Sequence, residues 1–244
     1  MRYAIIGDIH GNLAAFKAVL DDIQVQGGAD KVWCLGDIVG YGPDPHECIE
    51  LLRQLDHTCV AGNHDWGSAG KVKMDSFNPD AMIACDWTAK RLTTEDIQYL
   101  ENLPLTAEED GFTIVHGSPR EPILEYITTA SIAKENFSRF RTRYCLAGHS
   151  HSPLVFIRQR DGSCSAGEFT PIVKLALGAS RLIINPGSVG QPRDGNPQAS
   201  YAIYDSQLSQ IRNYRVGYDV SMTQDRMAEM GLPMRMLARL QFGR

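Results

Sequence analysis

Five short polar segments, each following an apolar run typical of a β-strand, constrain the fold of this 244-residue chain more than any other feature. In parallel α/β sheets, ligands bind in the crevice beyond the carboxyl ends of the strands, so five such ends can converge on one site. Together the segments hold five of the seven histidines. They are residues 7–10 (Gly-Asp-Ile-His), 36–37 (Gly-Asp), 62–65 (Gly-Asn-His-Asp), 115–117 (Val-His-Gly) and 148–151 (Gly-His-Ser-His).

Strand-like and helix-like stretches alternate along the first half of the chain. Residues 2–6 end at the first polar segment, and residues 13–26 follow with apolar spacing near 3.6 and Asn12 as an N-cap. The same order recurs over residues 31–61, where Pro45 falls in the first turn of the helical part. This alternation predicts an α/β fold with a largely parallel sheet covered by helices.

Two later regions depart from this alternation. Residues 66–110 contain two helical patterns with capping residues, and we predict a helical insertion there that covers the rim of the site, with Trp66 and Tyr99 facing it. Residues 154–216 are rich in strand-like runs, which suggests a second sheet. We interpret residues 1–244 as a single domain that carries this insertion.

Charge and composition exclude several classes of partner. The net charge is −5, from 24 Lys and Arg against 29 Asp and Glu, so no extended nucleic-acid surface is evident. The sequence predicts no signal peptide and no membrane span, and it carries no signal for an oligomeric state. The six cysteines occur singly, which indicates small buried thiols in a reducing compartment, and we expect a cytoplasmic protein. They are Cys34, Cys48, Cys59, Cys85, Cys145 and Cys164.

The polar segments offer carboxylate and amide oxygens with imidazole nitrogens and no thiolate. This mixture suits Mn²⁺, Fe or Zn²⁺ better than Mg²⁺ or Ca²⁺, and Mn²⁺ is our first expectation. The set is too large for one ion but fits two ions about 3.5–4 Å apart with one shared carboxylate. Two dications would make a positive pocket that attracts phosphate. The seven side chains are those of Asp8, His10, Asp37, Asn63, His116, His149 and His151.

Spacing within the segments supports this interpretation. In extended backbone, residues i and i+2 point to the same side, so we expect Asp8 and His10 to present their donor atoms together. Any one of these segments alone would more often be a turn or a hydrogen-bonded core residue, but five in one chain favour metal binding. His46 and His57 lack such a context and are interpreted as ordinary surface or packing residues.

Taken in order, the five segments resemble the motifs of the calcineurin-like metallophosphoesterase superfamily. The resemblance spans residues 7–151 and implies a four-layer α/β/β/α sandwich, with two mixed sheets flanked by helices and a dimetal centre between the sheets. It also implies a ligand assignment in which Asp37 bridges the two ions. Asp8, His10, Asp37 and His151 would hold one ion, and Asp37, Asn63, His116 and His149 would hold the other.

The resemblance assigns His64 a catalytic place near the scissile bond rather than on a metal. We expect Asp65, the next residue, to orient its ring, because an imidazole held by a carboxylate is a credible proton donor. The alternative is a hydrogen bond that only braces the loop.

The second motif departs from that of the phosphoprotein phosphatases and of the symmetrical diadenosine tetraphosphatases similar to them. Their motif continues Gly-Asp-x-Val-Asp/Asn-Arg-Gly, and its arginine binds phosphate, whereas Tyr41 stands at that position here. A phenol cannot make a bidentate charged contact, so the chain looks like the smaller prokaryotic, phosphodiesterase-like branch. We expect Tyr41 to lie at the substrate and Arg193 to supply the missing charge. A surface ion pair between Arg193 and Asp194 is the alternative.

We therefore predict a dimetal-dependent hydrolase of phosphate esters with a small phosphorylated substrate. Phosphodiesters, nucleotides or dinucleotide polyphosphates are the first hypothesis, with in-line attack by water that the ions activate and His64 as the general acid. A phosphomonoesterase or a serine/threonine protein phosphatase is the second. A non-catalytic metal-binding scaffold is a third, although no ligand is missing from the motifs.

Overall fold

The computed structural model describes residues 1–244 and contains twelve strands and eight helices. The strands are β1 (Arg2–Ile6), β2 (Lys31–Cys34), β3 (His57–Cys59), β4 (Thr106–Glu109), β5 (Phe112–Val115), β6 (Tyr144–Leu146), β7 (Pro153–Arg158), β8 (Cys164–Glu168), β9 (Lys174–Ala176), β10 (Arg181–Pro186), β11 (Ala199–Asp205) and β12 (Gln210–Val216). The helices are α1 (Leu13–Val25), α2 (Pro45–Arg53), α3 (Asn63–Ser68), α4 (Pro79–Ala89), α5 (Thr94–Asn102), α6 (Ala130–Asn136), α7 (Val220–Glu229) and α8 (Met234–Phe242).

The strands form two mixed sheets of six strands each. The first has the order β3-β2-β1-β11-β12-β9, in which β1, β2 and β3 run parallel and the other three continue antiparallel. The second has the order β4-β5-β6-β10-β7-β8, with β5, β6 and β10 parallel. Each sheet therefore contributes parallel strands whose carboxyl ends can meet at one crevice.

Alternate side chains of β1 enter different apolar layers. Ala4 and Ile6 pack with residues of α1 and α2, whereas Tyr3 and Ile5 pack between the two sheets with Phe112 of β5. A third layer lies between the second sheet and α6. The layers follow the order helix, sheet, sheet, helix, which confirms the predicted α/β/β/α sandwich.

A second sheet is present, as the strand-rich C-terminal region suggested, although the strands of that region are divided between the two sheets. β7, β8 and β10 join β5 and β6, but β11 and β12 return to the first sheet, where Ala4 lies opposite Ile203. Pairing between such distant parts of the chain leaves no local pattern in the sequence, which is why the strand-rich composition did not reveal it.

The region predicted as a helical insertion, residues 66–110, is only partly helical. It contains α4 and α5, whose caps Asn78 and Thr93 accept hydrogen bonds from backbone amides as expected. Its last residues instead form the edge strand β4, which pairs antiparallel with β5. A four-residue strand of alternating exposure between a helix and a turn carries little apolar signal, so it was missed.

The cysteines are free, and five of the six are buried, as their single occurrence predicted. Cys164 at the start of β8 is the partly exposed one. Each helix is too short or too polar to cross a membrane.

Candidate metal centre and substrate pocket

The five polar segments meet at one crevice because each follows a parallel strand. Three follow β1, β2 and β3 of the first sheet, and two follow β5 and β6 of the second. Backbone hydrogen bonds join the loops: the amide of Asp8 donates to the carbonyl of Gly36, and that of Gly148 donates to the carbonyl of His116. The crevice brings together all seven predicted ligands, none more than 5% exposed: Asp8, His10, Asp37, Asn63, His116, His149 and His151.

The backbone at five of these residues is left-handed. Asp8, His10, Asp37, His149 and His151 have φ between 52° and 64°. The expectation that extended backbone aims Asp8 and His10 together is therefore wrong, because left-handed turns aim them instead. Such a conformation costs a non-glycine residue about 1–2 kcal/mol and persists only where surrounding contacts hold it. Strain concentrated on potential ligands is typical of a functional site.

His10 and His151 face each other through their Nε2 atoms, which are 3.1 Å apart. Nδ1 of His10 lies 3.1 Å from the carbonyl oxygen of Val39, and Nδ1 of His151 lies 2.5 Å from that of Gln191. A carbonyl only accepts, so each Nδ1 donates and carries the proton of a neutral ring. Burial lowers the pKa of both rings well below the usual range, which keeps them neutral. Two bare Nε2 lone pairs therefore face each other, an arrangement that a cation relieves.

A second pair of ring nitrogens has the same character. Nε2 of His116 lies 3.0 Å from Nδ1 of His149 and 3.1 Å from Oδ1 of Asn63. The other nitrogen of each ring donates to a carbonyl, at 2.8 Å to Leu35 for His116 and at 3.2 Å to Leu124 for His149. When the rings are neutral, three acceptors therefore converge with no proton between them.

Asp37 lies between the two histidine pairs. Its Oδ2 is 3.6 Å from Nε2 of His10 and 3.4 Å from Nε2 of His116, and it is buried without a hydrogen-bond partner. Oδ2 of Asp8 is likewise buried and without a partner. Burial raises the pKa of Asp8 to about 7 and raises that of Asp37 well above its usual range. Two buried carboxylates with raised pKa values are stabilised by positive charge placed between them, which metal ions would supply.

These donors form two groups in which the ligand atoms lie within 4.8 Å of one another. One group is Asp8, His10, Asp37 and His151, and the other is Asp37, His116 and His149. Unprotonated imidazoles and carboxylate oxygens without partners are the donors that divalent transition-metal ions take. The residues fit a metal centre, and Oδ1 of Asn63 lies beside the second group, 3.1 Å from Nε2 of His116.

Asp65 does not orient the ring of His64, and this prediction is corrected. Its Oδ2 accepts hydrogen bonds from the amides of Asp37 at 2.8 Å and Gly62 at 2.9 Å, and its Oδ1 accepts from the amide of Ile38 at 2.8 Å. The carboxylate is thus occupied by the loop that carries Asp37. It braces that loop, because removing it would leave buried amides without acceptors.

His64 lies beside the donor groups and belongs to neither. Its Nδ1 is 3.4 Å from Sγ of Cys85 on α4, and its ring centroid is 4.5 Å from that of Tyr41. Burial lowers the pKa of His64 well below its usual range, and the charge of Arg193 acts in the same direction.

A cavity of about 250 Å³ opens over the donor groups. Tyr126 forms part of its wall and stacks on the ring of His149, with centroids 3.8 Å apart and planes inclined by 21°. Phe77, from the loop before α4, forms another part. The lining residues are Asp37, Tyr41, Asn63, His64, Ser76, Phe77, Asn78, Ala81, Leu124, Tyr126, His149, His151 and Arg193.

The region predicted to cover the site, residues 66–110, therefore contributes one wall of the cavity. The two residues expected to face the cavity, Trp66 and Tyr99, do not line it. Trp66 and Tyr99 pack against the core on the helical side of the first sheet, and the hydroxyl of Tyr99 contacts His57. Phe77 and Tyr126 were missed because they lie in irregular segments, where no hydrophobic period marks which way a side chain points.

Arg193 lies at the cavity and not in a pair with Asp194, whose carboxylate is paired with Arg215. Its Nη2 donates to Oε1 of Gln191 at 2.8 Å, whereas its Nε is buried without a partner. The guanidinium carbon lies 5.9 Å from the ring centroid of Tyr41, which is itself buried and lines the same cavity. A guanidinium with a free donor beside a cavity suits an anionic group.

Comparison with known proteins agrees with this geometry. The family model of the calcineurin-like phosphoesterase superfamily domain matches residues 1–208. The chain belongs to this superfamily. A metallophosphoesterase from Sphaerobacter thermophilus has the same fold, with a TM-score of 0.88 and 46% identity over 100% of this chain and 99% of that one. The resemblance predicted from the five motifs is thus confirmed, and the protein is a metallophosphoesterase, a hydrolase of phosphoric esters.

Two further relatives extend the comparison. The metallophosphoesterase is 40% identical over 248 residues to an uncharacterised protein of Methanocaldococcus jannaschii, covering 99% of this chain and 98% of that one. It is 29% identical over 141 residues to a symmetrical bis(5′-nucleosyl)-tetraphosphatase of Vibrio campbellii, covering 55% of this chain. The match spans only about half, 51%, of that relative's length.

Proposed function

We propose that the protein hydrolyses small phosphodiesters, nucleotides or dinucleotide polyphosphates at a centre of two divalent transition-metal ions. The observation that carries this proposal is the convergence of bare histidine nitrogens on the shared carboxylate of Asp37. Mn²⁺ is the first candidate, with Fe and Zn²⁺ as alternatives. When bound, the ions would activate water and neutralise charge on the phosphoryl oxygens. Asp8, His10, Asp37 and His151 would hold one ion, and Asp37, Asn63, His116 and His149 the other.

Arg193 would bind the phosphoryl oxygens. Gln191 holds one of its terminal nitrogens, and the ring of Tyr41 lies against the guanidinium, so the side chain is ordered before the substrate arrives. The positive charge of Arg193 would take the place of the arginine that the phosphoprotein phosphatases have in the second motif, where this chain has Tyr41. Ordering in advance reduces the entropy cost of binding the anion.

His64 would donate a proton from Nε2 to the leaving oxygen. Its ring lines the cavity but belongs to neither donor group, so it is free to contact a substrate. A positioned imidazole that protonates a leaving group typically contributes about 10²–10⁴-fold to the rate.

The size and walls of the cavity favour a small substrate with an aromatic part. A volume of about 250 Å³ would accommodate one phosphoryl group and its nearest substituents better than a folded protein surface. Phe77 and Tyr126 offer ring faces on which a nucleobase could stack. The activity named for the Vibrio campbellii relative also supports a nucleotide-containing substrate.

We also propose a cytoplasmic location. The support is the state of the cysteines, which are free and mostly buried, as is usual in a reducing compartment.

A substrate panel tests the proposed activity. We expect purified protein with Mn²⁺ to hydrolyse bis(p-nitrophenyl) phosphate and bis(5′-adenosyl) tetraphosphate faster than p-nitrophenyl phosphate or a phosphopeptide, and a chelator to abolish the reaction. Preference for the monoester or the phosphopeptide would favour the second hypothesis. No turnover with Mn²⁺, Fe²⁺ or Zn²⁺ would favour a binding scaffold.

Substitution His64→Ala tests the assigned proton donor. We expect unchanged metal content and a fall in kcat of about 10²–10⁴-fold for a diester with a basic leaving group, with a distinctly smaller fall for p-nitrophenolate. His46→Ala is the matched control, because His46 contacts Asp96 and does not line the cavity. Equal losses for both leaving groups would indicate a role in positioning phosphate, and loss of an ion would make His64 a ligand.

A further inference from the structure

We propose that Cys85 is the positioning residue that holds the ring of His64 with Nε2 directed to the substrate, a role that rests on the proposed proton donation by His64. Sγ of Cys85 lies 3.4 Å from Nδ1 of His64, and this is the hydrogen bond that the ring makes within the protein. Nε2 is left for a group in the cavity that His64 lines.

The thiol differs in kind from the partners of the four histidines proposed as ligands. Each of those rings donates to a backbone carbonyl, which only accepts and therefore keeps a proton on that ring nitrogen. A thiol can donate its S–H to a bare Nδ1, and it can accept, weakly, from Nδ1–H of a protonated ring or of the neutral ring that remains after Nε2 has given up its proton. The contact between Sγ and Nδ1 can therefore keep the ring of His64 in place in each of these states.

The neighbouring loop leaves Nδ1 without a side-chain partner of its own. Gly40 lies against the ring, and a Cβ added there would overlap Nδ1 of His64. The backbone at Gly40 is also left-handed, with φ of 89°, which disfavours any other residue. The contact to Nδ1 is therefore supplied from α4, by a residue distant from the motif that carries His64.

Packing fixes the sulfur of Cys85. The side chain is buried on α4, and a Cβ added at Gly67 of α3 would lie 3.3 Å from its Sγ, so the two helices are close at this point. Burial raises the pKa of Cys85 to about 12, and the side chain stays a thiol at neutral pH. The S–H proton is thus retained for the bond to His64, and a reactive thiolate is disfavoured.

Two substitutions at Cys85 test this role in Mn²⁺-loaded protein. We expect Cys85→Ala to lower kcat by about 3- to 10-fold for a diester with a basic leaving group, and less for bis(p-nitrophenyl) phosphate, with KM and metal content unchanged. Cys85→Ser should restore part of the loss, because a hydroxyl also donates and accepts. Cys145→Ala, which removes a buried sulfur from the layer near α6, is the control for a cavity in the core.

A spectroscopic measurement separates this role from the proposed activity. In Zn²⁺-loaded protein, ¹⁵N shifts of the neutral His64 ring should report an Nε2–H tautomer in the wild type and a mixture in Cys85→Ala. If the wild type hydrolyses no phosphodiester yet the tautomer changes, the proposed function is wrong and the contact stands. If neither the tautomer nor the leaving-group dependence changes, or if Cys145→Ala has the same effect, the positioning role is wrong.

Discussion

The floor and the rim of the pocket are built in different ways. We define the floor as the seven proposed metal ligands, and the rim as Phe77, Leu124, Tyr126 and Arg193. No floor residue is more than 5% exposed, and all four of its histidines donate a ring proton to a backbone carbonyl. The rim depends on contacts between side chains, and Leu124 and Tyr126 are 38% and 41% exposed. The fold therefore determines the floor, whereas local side-chain contacts determine the rim.

This difference has a consequence for function. The floor combines facing lone pairs with buried carboxylates, which are unfavourable unless a cation compensates them, and its left-handed backbone is strained and must be held by surrounding contacts. The rim has no comparable set of unfavourable features. Its one buried polar atom without a partner is Nε of Arg193. Changes in the floor should therefore abolish metal binding and the reaction together, and changes in the rim should alter which substrates bind.

The largest effect should follow Asp37→Asn, which removes the charge shared by both donor groups while keeping the shape of the side chain. We expect the bound ions to fall from two per chain to at most one, and kcat/KM to fall by at least about 100-fold, since even outer-shell changes cost 10–100-fold. Elemental analysis and the diesterase assay check this. Asp21→Asn, at an exposed position on α1, is the control. Retention of two ions would contradict the bridging role of Asp37. It would also contradict the expectation that changes in the floor abolish metal binding.

Arg193→Ala should have the next largest effect. We expect about a 10- to 100-fold fall in kcat/KM with unchanged metal content, because a charge-assisted contact to phosphate is lost while the floor stays intact. Arg193→Lys should recover only part, because an ammonium lacks the planar fork. Arg160→Ala, at an exposed position beyond β7, is the control. If metal content fell with activity, Arg193 would have to be counted with the floor.

The composition of the floor could be predicted from the sequence because each of its residues stands directly after a strand-like run. Each strand-like run can be recognised from a short stretch of sequence. Because parallel strands bring their carboxyl ends to one edge of a sheet, the polar residues that follow them are expected at one site. The sequence did not reveal that left-handed turns aim Asp8 and His10, or which nitrogen of each ring faces the centre. Both depend on carbonyls and loops contributed by distant parts of the chain.

The rim was harder to predict for a different physical reason. Phe77 and Tyr126 lie in irregular segments, so only the packed structure decides which way their rings point. Asp65 was misassigned because a carboxylate next to a histidine in sequence can equally well cap backbone amides. Arg193 lines the cavity, but the sequence could not separate that position from a surface pair with Asp194, whose carboxylate the structure pairs with Arg215.

The smallest effect should come from Phe77→Leu, which keeps apolar bulk at the rim and removes the aromatic face. Thymidine 5′-(p-nitrophenyl phosphate) and methyl p-nitrophenyl phosphate share a leaving group and differ in the nucleoside. We expect KM for the thymidine ester to rise by about 2- to 10-fold, because an aromatic pair contributes about 0.5–1.5 kcal/mol beyond burial, and KM for the methyl ester to stay within about twofold.

Phe242→Leu, at an exposed position on α8, controls for the loss of an aromatic ring elsewhere. Equal changes in KM for the two esters would mean that Phe77 does not recognise the nucleoside. A fall in metal content would mean that the rim helps to hold the floor. Because the ring of Phe77 lies 6.0 Å from that of His64, a change in kcat with unchanged KM would instead assign Phe77 to the placement of the proton donor. The KM ratio of the two esters, the metal content and kcat therefore distinguish three roles for Phe77: recognition of the nucleoside, support of the proposed metal ligands and placement of His64.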